Sequence, residues 1–162
     1  MEANEEIVNL WLQKCKLFFT LPDIKYNSFN SAIDILAVNL NESIIWDIEV
    51  KFKSRITIAH NKSKEQGFEH FVSQLINNNR ENKITDIIGK SDKGFKIIKT
   101  FITTKRFFTK KKFDYWVEQF KYNGINVVFF DDIINDLSTL AKNSTKENDV
   151  ILQTLRLYKQ FA

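Results

Sequence analysis

Apolar residues recur along the chain with two periods, and the change from one to the other divides it into helices and strands. From Glu5 to Phe19 the positions Ile7, Val8, Leu10, Trp11, Leu12, Cys15, Phe18 and Phe19 keep helical spacing, with Asn4 as the expected N-cap and Leu21-Pro22-Asp23 as the stop. Tyr26 to Ser31 reads as a polar loop. Ala32-Ile-Asp-Ile-Leu-Ala-Val38 is short and almost wholly apolar, the pattern of a buried strand. Asn39-Leu-Asn-Glu-Ser43 supplies a turn. From Ile44 to Lys53, Trp46, Ile48, Val50 and Phe52 then alternate with Asp47, Glu49, Lys51 and Lys53. These two strands are expected to form an antiparallel hairpin.

Beyond a polar loop from Ser54 to Lys64, Phe68, Phe71, Val72, Leu75 and Ile76 fit a helix that ends in Asn77-Asn-Asn79. Phe95 to Thr104, rich in β-branched and aromatic residues, predicts a strand. Phe107 to Tyr122 predicts a helix with Phe113, Trp116, Val117 and Phe120 on one face, closed by Asn123-Gly124. Ile125 to Phe130 reads as a strand buried on both faces, followed by helices near Ile133–Ala141 and Lys146–Phe161. The order α-β-β-α-β-α-β-α-α predicts an α/β fold. Its central mixed sheet would be antiparallel at the hairpin, parallel where helices join the strands, and covered by helices on both faces.

A length of 162 residues suits one domain, with a core over about 5–137 and a helical extension over 138–162. Four glycines and one proline leave few interruptions in regular structure. The single cysteine, Cys15, cannot form an internal disulfide, so a reducing cytoplasm is the expected home. The acidic start, Met1-Glu-Ala-Asn-Glu-Glu6, is unlike a signal peptide, and no apolar run approaches the roughly 20 residues that cross a bilayer. A net charge of +4 and a pI near 9.1 are compatible with a polyanionic partner but too mild to require one.

Asp34 is the one charged residue in its apolar strand, where an uncompensated carboxylate is expensive, so it needs a partner or a metal. Glu49 and Lys51, two apart, share one face of the next strand. With the turn centred between Asn41 and Glu42, Asp34 lies directly across from Glu49, the Cβ atoms roughly 5 Å apart. Such a pair invites a hard divalent cation: Mg²⁺ takes one or two carboxylates and keeps several waters, and Mn²⁺ can substitute. Lys51 would then orient or deprotonate the attacking water and stabilise charge on a phosphate. This chemistry is phosphodiester hydrolysis.

Asp34 followed by Glu49-Val50-Lys51 resembles the D…(D/E)xK signature of the PD-(D/E)xK nuclease superfamily, whose element order is similar. Within it the chain most resembles Mrr-type restriction endonucleases. Ser31-Ala-Ile-Asp-Ile-Leu-Ala37 resembles their aspartate-bearing strand, Phe101-Ile-Thr-Thr104 the next core strand, and Val127-Val-Phe-Phe-Asp131 with Ile134 and Leu137 the closing strand and helix. Coverage runs from about Glu5 to Leu137. The chain departs from the Mrr pattern in having Glu49 where glutamine is common and Ser31-Ala32 where a glycine precedes the aspartate. The resemblance implies a restriction-endonuclease-like core, Mg²⁺ held by Asp34 and Glu49, and catalysis by Asp34, Glu49 and Lys51. Holliday-junction resolvases share that core and often carry a glutamate on the first helix, which falls on Glu6, with Glu5 as the alternative. It also implies a DNA substrate, with RNA as the other polyanion, in restriction, defence or repair, and a homodimer, since one such site cuts one strand.

Several other residues have a functional and a plain reading. Lys105, Arg106, Lys110, Lys111 and Lys112, interleaved with Phe107 and Phe108, would contact phosphates and stack on bases, or form a solvated basic face. Lys53, Arg55, Lys62 and Lys64 lie just past the E-x-K strand and would hold the scissile strand, although such residues are common on loops. Gln66 and Gln74 belong to the helix expected beside the active site. Asp23, the aspartate that follows the proline, reads as a turn residue. His60 and His70 with one cysteine make no zinc set. Two further classes stay open: a DNA-binding module that keeps the fold without cutting or relies on a partner, and an interaction protein using the Ile151, Leu155, Tyr158 stripe.

Overall fold

The computed structural model describes residues 2–27, 31–52, 64–89, 94–108, 110–143 and 149–161. Its elements are α1 (Ala3–Lys14), β1 (Phe19–Lys25), β2 (Ala32–Asn39), β3 (Ile44–Lys51), α2 (Lys64–Leu75), α3 (Asn78–Ile88), β4 (Lys96–Thr103), two 3₁₀ turns at Lys105–Phe107 and Lys110–Lys112, α4 (Phe113–Tyr122), β5 (Ile125–Phe129), α5 (Phe130–Asn143) and α6 (Val150–Phe161). The strands form one mixed sheet in sequence order β1-β2-β3-β4-β5. β1, β2 and β3 run antiparallel as a meander, and β3, β4 and β5 are parallel. The α/β class and the mixed sheet expected from the hydrophobic pattern are both present. No helix among the described residues is long and apolar enough to cross a membrane.

Helices cover both faces. One core packs Val8, Leu10, Trp11 and Leu12 of α1 and Ile133, Leu137 and Leu152 of α5 and α6 on Ile35, Ala37, Ile48 and Ile102, with Trp46, Val50 and Phe52 half-buried against them. On the other face Phe68, Phe71, Val72 and Leu75 of α2 and Trp116 and Phe120 of α4 pack on Phe101 and Ile125. A smaller cluster joins Ile84 of α3 to Leu36 and Ile45.

Two elements depart from the expectation. The first helix stops at Lys14, and Leu17 turns the chain at φ +59, a left-handed conformation that a helix cannot continue through. Phe18 and Phe19 therefore do not extend the helix. Phe19–Lys25 forms an edge strand that tolerates Pro22 because only one side of it is paired. The helix is capped by Glu2 and Glu5 rather than by Asn4, each side chain bonding the other residue's backbone. The second departure is α3. α2 ends at Leu75, just before Asn77 as expected, but Asn77 also starts a further helix: its side chain accepts from the Asn79 backbone N–H at 2.8 Å. Asparagine serves both ends of helices, and the sequence alone pointed to only one of these roles.

Smaller shifts occur at three other helices. α4 begins at Phe113, the segment from Lys105 being taken up by the 3₁₀ turns, and α5 extends the expected helix to Phe130–Asn143. The final helix starts at Val150, where the Asp149 carboxylate accepts the Ile151 N–H at 2.9 Å. Ile151 and Leu155 pack half-buried against the core, which leaves Tyr158 the one exposed member of that stripe.

Candidate functional site

The β2–β3 ladder pairs Ile35 with Ile48, Leu36 with Asp47 and Ala37 with Trp46. Each pair straddles the bond between Asn41 and Glu42; the ladder ends at Ile35 and Ile48, and Asp34 and Glu49, the next residue of each strand, line one cavity. The turn chemistry holds this register: Asn39 Oδ1 accepts from the backbone N–H groups of Asn41 and Glu42 at 3.0 and 3.1 Å, and Ser43 takes φ +54. A slip of one residue would have sent Glu49 into the apolar core on the other face. At Asp34 the side chain takes over from the ladder, accepting the Val50 N–H on Oδ2 at 2.7 Å. On the parallel side Lys51 pairs with Thr103, whose hydroxyl donates to the Lys51 carbonyl at 2.8 Å.

Glu49 is held from two sides. Lys51 Nζ lies 2.8 Å from Oε1, and an Arg80 terminal nitrogen lies 2.9 Å from Oε2. Arg80 comes from the first turn of α3 and is fully buried. It also grips Asp47, the residue two before Glu49 on the same face, through Nε at 2.8 Å and a terminal nitrogen at 2.7 Å. Lys99 on β4 meets Asp47 Oδ2 at 2.8 Å. Carboxylates and cations thus alternate across three strands and a helix, as they must when Asp47 is wholly withdrawn from water. Neither Asp47 nor Arg80 was legible as a site residue: Asp47 looked like any polar position of an alternating strand, and Arg80 sat in a segment with no predicted element.

The protonation energetics follow from this packing. Burial, and then the Glu49 charge, push the Asp34 carboxyl up to about 7, with Glu5 adding to the rise and the Val50 N–H and Lys51 opposing it. For Lys51, burial works against the charge, but Glu49 at 2.8 Å, helped by Asp34, more than offsets it and raises the ammonium above its ordinary value. Lys51 is therefore a cation at neutral pH. It can stabilise negative charge and orient a nucleophile, but it cannot act as a base in this arrangement. Arg80 is likewise raised, burial being overcome by Asp47 and Glu49.

Tyr26, Ser31, Ala32, Gln74 and Asn77 join Asp34, Glu49, Lys51 and Arg80 around a cavity of about 340 Å³. No family model matches the chain, and no curated protein or solved structure is significantly similar to it. What the cavity does is therefore read from its chemistry. Two carboxylates lining one cavity, one of them reluctant to ionise, are a donor set that suits a hard divalent cation. Among the described residues no group of three or more His, Cys, Asp and Glu side chains is placed to hold a metal. A larger groove of about 710 Å³, lined by Phe18, Phe19, Leu21, Leu40 and Ile87, is apolar and lies away from every one of these charges.

The remaining candidates separate by position. Of the two glutamates on α1, Glu5 is half-buried and its charge reaches Asp34, whereas Glu6 is exposed. Gln74 lines the cavity and sits 3.1 Å from His70, which is exposed. Asp23 stands exposed on the edge strand at φ +53. Lys53, Arg55, His60 and Lys62 lie outside the described residues.

Lys105, Arg106, Lys110, Lys111 and Lys112 are exposed on the 3₁₀ turns that leave β4 just after Thr103, at the same end of the sheet as Lys51. Phe107 and Phe108, expected to stack on bases, are instead buried in the core beneath α2 and α4, where they anchor the turns. If this face meets nucleic acid, replacing Lys110, Lys111 and Lys112 together by alanine will weaken binding across sequences. It will also reduce the slope of log K against log salt by roughly 0.7–0.9 for each phosphate that is no longer neutralised. Titration at several salt concentrations reads both, and an unchanged slope would assign the turns to ordinary solvated surface.

Proposed function

We infer that the chain is a divalent-metal-dependent endonuclease of the PD-(D/E)xK kind, with a restriction-endonuclease-like core, that hydrolyses phosphodiester bonds in DNA. The observation that carries this reading is the cavity that brings Asp34 and Glu49 together with Lys51 beside them, its packing holding the Asp34 pKa up to about 7. By motif the type it resembles is the Mrr restriction endonuclease, and Glu5 takes the place of the first-helix glutamate of the resolvases.

Asp34 and Glu49 would hold Mg²⁺ or Mn²⁺, which supplies Lewis-acid polarisation of the phosphoryl oxygen and a more acidic attacking water. The chain's own groups do the rest. Lys51, kept protonated, stabilises the charge that builds on the phosphate and fixes the direction of attack. Glu5 adds negative charge beside Asp34 and so strengthens its pull on a cation. The basic turns after β4 hold the nucleic-acid backbone at the Lys51 end of the sheet. One site cuts one strand, so cleavage of a duplex calls for two copies, and a homodimer is the expected assembly.

Incubating the purified chain with supercoiled plasmid, branched DNA and RNA, with and without Mg²⁺, is the direct experiment. Nicking or linearisation that requires the metal is the expected result. Which substrate is cut separates restriction from junction processing and DNA from RNA. One observation favours a second reading: both oxygens of Glu49 already meet a cation, so the site is electrostatically satisfied as it stands. In that case the chain binds nucleic acid without cutting or depends on a partner. The same incubation would then show binding but no product at any metal concentration.

A further inference from the structure

A guanidinium at 1% exposure persists only where its charge is answered, and for Arg80 it is answered more fully than Asp47 alone requires. Asp47 already has Lys99 at 2.8 Å, whose single positive charge matches its own. Arg80 instead spreads its donors over three consecutive residues of β3: Asp47 at 2.7 and 2.8 Å, the Ile48 carbonyl at 3.3 Å and Glu49 Oε2 at 2.9 Å. Tyr26, whose ring lies 6.0 Å from the guanidinium, and Asn77, which caps α3 three residues earlier, line the same cavity. The two cations on Glu49 therefore differ in freedom. Arg80 is locked in place by its fork, whereas Lys51 is a flexible ammonium whose side chain is 35% exposed.

We propose that Arg80 is a positioning residue that clamps Glu49 Oε2, so that Oε1, the oxygen now covered by Lys51, is the one presented to a divalent cation. This role rests on the metal-dependent function inferred for the site. On cation entry Lys51 gives way and becomes available to the phosphate, while Arg80 stays on Oε2 and keeps the carboxylate aimed at Asp34. α3 thereby serves as the support of the metal site, holding a ligand of the neighbouring strand through a side chain that never touches the ion. Partners of this kind typically change metal affinity by 10–100-fold when altered.

Arg80→Lys separates aim from charge, because lysine keeps a cation beside Asp47 but cannot fork to Glu49 as well. Mn²⁺ is the probe, titrated calorimetrically into the full chain, with Asp34→Asn as the control that loses binding. Arg80→Lys is expected to weaken Mn²⁺ binding about tenfold or more while its metal-free melting temperature stays close to that of the wild type. Lys51→Met is expected to bind Mn²⁺ at least as tightly as the wild type, since the oxygen is already uncovered. Wild-type affinity in a folded Arg80→Lys protein would overturn the proposal and reduce Arg80 to the counter-ion of Asp47. Should Arg80→Lys not fold, Lys51→Met decides: weaker binding there would mean that Lys51, not Arg80, holds Glu49. A wild-type chain that takes up no Mn²⁺ at millimolar concentration would fail differently, by removing the metal-dependent function itself.

Discussion

Alanine at Asp34, Glu49 or Lys51 is expected to reduce cleavage by at least about 10²–10³-fold, the scale on which removal of one preorganised charge-stabilising group acts, with nucleic-acid binding largely retained. Asp34, Glu49 and Lys51 line one cavity, and Lys51 meets Glu49 at 2.8 Å, so under the proposed function the three would work on one reacting centre. Their losses should therefore not add: the double variant Asp34→Ala, Lys51→Ala should be scarcely worse than either single one. Glu49→Ala carries a structural cost as well, since Arg80 loses one of its acceptors, and its melting temperature must be measured beside its activity. Cleavage retained in any two of the three single variants would remove these residues from the active site.

Stability without any substrate should show the same site. Asp34 has a folded-state pKa of about 7 against an ordinary 3.8, so the folded protein binds this proton more tightly than the unfolded chain does. For a carboxyl raised in this way the ionised form costs stability. The cost is absent below about pH 4, grows between about pH 4 and pH 7, and is fully present above. Asp34→Asn keeps the shape without the charge. Metal-free, it is expected to melt above the wild type at pH 8, by roughly 2–4 °C for each kcal/mol of strain removed, and the gap should close towards pH 5. Metal should reverse the order, because an ion that binds only the folded state raises the wild-type melting temperature by mass action and leaves the variant nearly unmoved. Apparent Mn²⁺ affinity should also fall about tenfold for each pH unit below about 7, the price of expelling one proton. Differential scanning calorimetry at pH 5 and pH 8, with and without millimolar Mn²⁺, measures all of this. Equal metal shifts in the two proteins would mean that Asp34 is not a ligand.

The hydrophobic pattern determined the α/β class and the β2–β3 hairpin. Its register, and with it the meeting of Asp34, Glu49 and Lys51, followed only on the assumption of a turn centred between Asn41 and Glu42, which the ladder has. These are local facts: alternation assigns faces, and a short Asn-rich turn assigns pairing, both over fewer than twenty residues. The strand that joins Lys51 to Thr103 was equally plain from its β-branched run. Only the tertiary structure decided the rest. Phe19–Lys25 became a strand because β2 had an open edge to pair with, although Phe18 and Phe19 continued a helical period. Asn78–Ile88 became a helix because Ile84 had a cluster to enter and Arg80 had two carboxylates to meet, although its own sequence is mostly polar. Phe107 and Phe108 went into the core rather than onto a binding face because α2 and α4 form an aromatic layer there. Arg80 is the sharpest case: nothing in Asn77-Asn-Asn-Arg80 marks a buried cation, because what holds it lies more than thirty residues away on β3, and such long-range charge pairing leaves no period in the chain.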